Sequence, residues 1–170
     1  RPAGEDGRQR PHVIVKLPFR MAPTPAYEQM AFRTVRETMA AAPRRWVVGG
    51  HSRGGMLATR FAASNPNLLA GLALVATTHP RELDLSWLDV PVLKVYGSED
   101  GVATPEDMRR YASNLPASTT FVEVPGGNHR QFGYYRFQLM DGRAGISRET
   151  QQARLIEAIL TLLARVQARP

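Results

Sequence analysis

Short apolar runs alternate with stretches of helical spacing along most of the chain. Val13-Ile14-Val15-Lys16-Leu17 is a β-branched run stopped by Pro18, and it reads as a buried strand. Thr24-Pro25 then supplies an N-cap and a first-turn proline, and helix formers follow from Ala26 to Ala42. Trp46-Val47-Val48 makes a second strand, Gly54 to Ser64 a second helix, and Leu72-Ala73-Leu74-Val75-Ala76 a third strand. Pro91-Val92-Leu93-Lys94-Val95-Tyr96 is a fourth strand. After it, Thr104-Pro105-Glu106-Asp107 carries a cap, a proline and a capping-box acid, opening a helix expected to reach about Leu115. Phe121-Val122-Glu123-Val124 is a fifth strand, and Ser147 starts a final helix. There Leu155, Ile159, Leu162, Leu163 and Val166 form one apolar stripe, expected to pack against a sheet.

Strands that are apolar on both faces and followed by helices imply a mostly parallel sheet covered on both sides. The expected class is α/β. In such sheets functional residues gather beyond the carboxyl ends of the strands.

A chain of 170 residues is expected to form a single domain over 1–170, with 1–12 irregular. Its net charge of +7 raises nucleic acid as a partner. However, Lys16 and Lys94 are the only lysines, and the arginines are scattered from Arg8 to Arg169 without a basic block. That is the pattern of solvated helix faces, so no nucleic-acid partner is expected. The absence of cysteine excludes disulfides, thiolate nucleophiles and Cys-ligated metals. No apolar run approaches the ~20 residues of a membrane helix. Arg1 to Gly7 does not resemble a signal peptide, which makes a cytoplasmic location the expectation. The chain begins without Met, so a trimmed sequence with an upstream signal or anchor stays open.

Gly50-His51-Ser52-Arg53-Gly54 lies directly between the second strand and its helix. A bare G-x-S-x-G is a weak signal. In this position its small residues permit a sharp, strained turn that lifts a serine hydroxyl above a sheet, with a helix N-terminus beside it. The competing reading is a tight turn with a capping serine. A serine hydroxyl becomes nucleophilic only when a base takes its proton. Of the histidines, His12 precedes the first strand, His51 is inside the turn and His79 follows the third strand. His129 follows the fifth, in Val124-Pro125-Gly126-Gly127-Asn128-His129, where glycines allow a loop to carry an imidazole over the serine. Asp100, after the fourth strand, is the candidate to orient that ring, with Glu99 its neighbour and rival. The chain order Ser52, Asp100, His129 is the one expected of the α/β-hydrolase arrangement. No His, Asp and Glu set shows metal-ligand spacing, and no cofactor is implied.

Three segments resemble the signature blocks of the compact bacterial α/β-hydrolase family 5. They are Gly49-Gly50-His51-Ser52-Arg53-Gly54-Gly55, Val95-Tyr96-Gly97-Ser98-Glu99-Asp100-Gly101-Val102 and Gly126-Gly127-Asn128-His129-Arg130-Gln131-Phe132-Gly133. Ile146 to Gln152 also resembles the family's stretch before its last helix, and Arg136 and Met140 stand where the family pattern has glycines. The resemblance implies Ser52, Asp100 and His129 as catalytic residues. It also implies that a strand ending in a Tyr-Pro-Gly turn, and a helix, should precede Val13; residues 1–12 cannot supply them. Of the two oxyanion donors such enzymes use, the Arg53 N–H is the one expected here, and loss of one donor costs on the order of 100- to 1000-fold in rate.

The stretch from Thr77 to Asp89 is too short for a large lid, and Leu83, Leu85 and Trp87 are candidates either to line an acyl pocket or to pack on the sheet. The expected activity is carboxylic ester hydrolysis of a small-molecule substrate through an acyl-enzyme. The alternative is a catalytically impaired fragment or an interaction domain that keeps the fold.

Overall fold

The computed structural model describes residues 14, 24–41, 45–134 and 137–169. The first strand read from sequence, Val13 to Leu17, and His12 therefore lie outside the described residues, apart from Ile14. The chain divides into two units, 1–43 and 44–170.

The first unit contributes α1 (Pro25–Ala41). Thr24 starts it as expected, its Oγ1 accepting from the Tyr27 N–H at 3.4 Å and its carbonyl from the Glu28 N–H.

The second unit runs β1 (Trp46–His51), α2 (Arg53–Ser64), β2 (Leu69–Val75), β3 (Val92–Gly97), α3 (Pro105–Arg110), β4 (Thr120–Val124) and α4 (Arg148–Ala168). The strands form a parallel sheet in the order β1-β2-β3-β4. Val47 pairs with Gly71, Leu72 with Val92, and Lys94 with Phe121. Ala73, Val75, Leu93, Val95 and Val124 present one face of the sheet to Ala158, Leu162 and Val166 of α4, with Leu155 and Ile159 packed beside them, so the apolar stripe packs on the sheet apart from Leu163, which lies outside this cluster. Leu72, Leu74 and Val92 alternate to the other face and are fully buried. Both faces of the sheet are therefore covered, and α2 lies against β1 and β2.

The caps read from sequence hold α3 and α4. Thr104 Oγ1 accepts from the Asp107 N–H at 3.2 Å, and Ser147 Oγ from the Thr150 N–H at 3.1 Å. The helix expected to reach Leu115 instead ends at Arg110 and gives way to a 3₁₀ turn over Ala112–Asn114. Pro116 forces Leu115 into an extended conformation. The tighter turn also sets the Asn114 amide against the connection after β2, where it donates to the carbonyls of Pro80 and Arg81 at 3.3 and 3.1 Å. In that connection Leu85 and Leu88 are buried, while Trp87 is 53% exposed with its indole N–H donating to the Asp84 carbonyl. Leu85 thus belongs to the core, whereas Trp87 is half exposed.

Candidate active site

Ser52 sits between β1 and α2 with φ 55° and ψ −116°. For a residue with a Cβ this is strained backbone, and the neighbours explain how it persists. Its N–H extends the β1-β2 ladder to the Val75 carbonyl at 2.9 Å, and its carbonyl accepts from Met56 in the first turn of α2. The chain can turn this sharply because Gly50 lies against Gly54; a Cβ at Gly50 would come within 2.2 Å of the Gly54 carbonyl carbon. The serine makes no side-chain capping bond to α2. Its Oγ is instead 3.0 Å from Nε2 of His129, which disposes of the capping-serine reading of the turn.

Asp100 lies on the tight turn after β3, closed by its N–H to the Gly97 carbonyl. Its Oδ1 accepts from the Val102 and Ala103 N–H groups at 2.9 and 2.7 Å, so main-chain donors orient the carboxylate. The same carboxylate faces Nδ1 of His129, at 2.9 Å from Oδ2 and 3.2 Å from Oδ1. Both residues are almost completely buried. Glu99 is turned outward beside the Ser98 hydroxyl.

His129 follows β4 through a turn at Gly126, whose φ of +72° is glycine territory. The Gly126 N–H donates to Ser98 Oγ, and the Glu99 N–H to the Gly127 carbonyl, both at 2.8 Å, tying the acid and histidine turns together. A carboxylate beside Nδ1 fixes the proton there, which leaves the Nε2 lone pair for the serine hydroxyl. Ser52, Asp100 and His129 thus meet at the carboxyl ends of β1, β3 and β4. His79 is elsewhere, its carbonyl taken by Lys94. Arg53, whose N–H was the expected oxyanion donor, is the first residue of α2. A groove of about 350 Å³ between β4 and α4, lined by Val122, Glu123, Arg154 and Arg165 among others, includes none of these residues. Among the described residues no group of three or more His, Asp or Glu side chains could hold a metal, and no helix is long and apolar enough to cross a membrane.

Residues 7–153 match the sequence profile of the alpha/beta hydrolase family. The chain belongs to that family.

No curated protein matches the chain in sequence. Solved alpha/beta hydrolases resemble this one in fold. A predicted CIB-like hydrolase from Thermoplasma acidophilum is 19% identical with a TM-score of 0.60, over 80% of this chain and 60% of its own. A thermophilic esterase from Thermogutta terrifontis is 18% identical with a TM-score of 0.63, over 82% and 72%. The monoacylglycerol lipase of Paleococcus ferrophilus is 13% identical with a TM-score of 0.60, over 79% and 75%. This alpha/beta hydrolase thus spans about 60% of the length of the Thermoplasma protein.

Several residues around the site of this alpha/beta hydrolase escape a reading of sequence. Gln151 in the first turn of α4 is fully buried. Its Oε1 accepts from the Asn128 N–H at 3.0 Å and its Nε2 donates to the Asn128 carbonyl at 2.7 Å, replacing a strand partner for the segment before His129. A glutamine on the core side of an amphipathic helix was the available signal. His51 donates through Nε2 to the His129 carbonyl at 3.2 Å, with the two rings 4.7 Å apart. Burial first, and then the neighbouring His129, push its pKa down to about 4, so it serves as a neutral donor at neutral pH. The carboxylate of Asp141 accepts from both the His129 and Arg130 N–H groups. No motif marks it.

Proposed function

We propose that this chain is a serine hydrolase acting on carboxylic esters of small or medium acyl groups, with Ser52 as nucleophile, His129 as general base and Asp100 as the group that orients it. One observation carries the reading: a buried imidazole with a carboxylate 2.9 Å from one nitrogen and a strained serine hydroxyl 3.0 Å from the other. A serine in that setting is a nucleophile, because its proton has an acceptor and the resulting imidazolium has a counter-charge.

In the proposed reaction Ser52 Oγ bonds to the ester carbonyl carbon as its proton passes to His129 Nε2. The carbonyl oxygen takes up negative charge, which the Arg53 N–H at the start of α2 stabilises. Collapse breaks the bond to the alkoxy oxygen, which leaves with the proton from Nε2, and Ser52 stays acylated. Water then attacks the acyl carbon and gives its proton to Nε2; collapse breaks the bond to Ser52 Oγ, which takes that proton back from Nε2 as the acid leaves, restoring free Ser52 and neutral His129. The esterase and lipase similarities support this substrate class at the level of fold.

The test is labelling with a fluorophosphonate probe and turnover of p-nitrophenyl acetate and butyrate, comparing the chain with Ser52→Ala. Labelling and turnover that vanish in Ser52→Ala are expected. A folded chain that neither labels nor turns over would overturn the reading and favour an interaction domain that keeps the fold.

A further inference from the structure

We propose that Asp141 is a positioning residue for His129, holding its main chain so that the imidazole reaches Ser52 and Asp100 together. This deepens the serine hydrolase reading and rests on it.

The His129 N–H lies between two elements and finds its partner in neither. β4 ends at Val124, and the 3₁₀ turn Arg130–Phe132 begins just after the histidine. The first N–H groups of any such turn have no partner within it, and His129 is only 2% exposed while Arg130 is partly buried, so both need an acceptor from the protein. Asp141 meets both demands with one side chain. Its Oδ1 accepts from the His129 N–H and its Oδ2 from the Arg130 N–H, each at 2.9 Å. The His129 carbonyl is held from the other side by His51. The main chain on both sides of the histidine Cα is thereby pinned, which leaves the ring little freedom beyond its own side-chain torsions.

The segment carrying Asp141 is itself braced against the acid turn. A Cβ at Gly101 would stand 2.3 Å from the Met140 carbonyl oxygen, and one at Gly142 would stand 1.9 Å from that of Glu99, so the two backbones touch. The Gly142 carbonyl also accepts from Asn128 Nδ2 at 2.8 Å. One short segment therefore contacts the turn bearing Asp100 and the loop bearing His129, and sets their spacing. Met140, just before the carboxylate, has φ 65°, a strained conformation that this packing sustains. The two imidazole hydrogen bonds depend on the ring's position, and a displacement of about 1 Å at a reacting group can cost on the order of 100-fold in rate.

The experiment compares the full chain with Asp141→Asn, Asp141→Ala and Asp141→Glu by kcat and KM on p-nitrophenyl acetate, thermal melting, and the low-field proton NMR signal of the His129 Nδ1–H. Asn keeps one acceptor but sets an NH₂ against the second amide. Folded Asp141→Asn is expected to lose roughly 10- to 100-fold in kcat with KM within about threefold, and to shift or broaden the imidazole signal. Asp141→Glu is expected to recover part of the kcat that Asp141→Ala loses. If Asp141→Ala does not fold, Asn and Glu carry the test. A folded Asp141→Asn with wild-type kcat and an unchanged imidazole signal would overturn the proposal, as would a change confined to KM. If the wild-type chain shows no Ser52-dependent turnover, the hydrolase reading fails, and the imidazole signal alone decides whether Asp141 positions His129: unchanged in Asp141→Asn, it overturns the proposal.

Discussion

The Oγ of Ser52 lies 3.0 Å from Nε2 of His129, although 77 residues separate the two in sequence. The contact is useful to a nucleophile only while Nε2 carries a lone pair, and that depends on which ring nitrogen holds the proton.

Asp100→Asn tests this dependence. An asparagine can keep accepting from the Val102 and Ala103 N–H groups through Oδ1, but its NH₂ then faces Nδ1 of His129 and forces the ring proton onto Nε2. Ester turnover is expected to fall by on the order of 10⁴-fold with the fold intact, measured as kcat beside a circular dichroism melt. A loss below about tenfold would mean that Asp100 does not set the tautomer.

The elbow glycines should differ sharply. A Cβ at Gly50 would strike Gly54 backbone at 2.2 Å, whereas one at Gly54 meets nothing within 4 Å. Gly50→Ala is expected to cost at least about 2 kcal/mol in urea unfolding through forced backbone movement, and Gly54→Ala to stay within about 1 kcal/mol of wild type.

Lys94 makes a prediction about alkaline pH. Its ammonium is buried in the sheet, donates to the His79 carbonyl at 2.8 Å, and is pushed by burial from 10.5 down to about 8. Between about pH 8 and 10.5 the unfolded chain binds more protons than the folded one, so this group makes stability rise with pH across that window and fall again as pH drops through 8. Lys94→Met should remove a slope worth up to about 3 kcal/mol, read as the difference between the two urea-unfolding curves against pH.

Met140 occupies the left-handed region at φ 65° while its side chain is 80% exposed. Met140→Gly therefore relieves strain of about 1 kcal/mol without opening a cavity, set against a similar entropy cost in the unfolded chain. It should be neutral or stabilising by up to about 1 kcal/mol, while the β-branched Met140→Val should melt clearly lower.

Gln151→Leu would leave the Asn128 N–H and carbonyl without the partners that Gln151 supplies in a buried site. A loss of about 2–4 kcal/mol is expected from two stranded main-chain groups, together with faster amide exchange in the loop before His129.

Read alone, the sequence determined the α/β alternation, the caps at Thr104 and Ser147, the elbow around Ser52 and the chain order of serine, acid and histidine. These are local properties: periodicity, turn chemistry and the residue after each strand are written within a few neighbouring positions. The sequence favoured Asp100 over Glu99, but only the tertiary structure supplied the 2.9 Å approach of its carboxylate to the imidazole, because adjacent carboxylates on one turn differ in which way the backbone aims them. The tertiary structure also decided that Gln151 and Asp141 serve the loop of His129, that Lys94 is buried inside the sheet, and that Met140 adopts the conformation of the glycine expected there. Each of those depends on atoms brought together from distant parts of the chain, and on torsion angles that residue type leaves open.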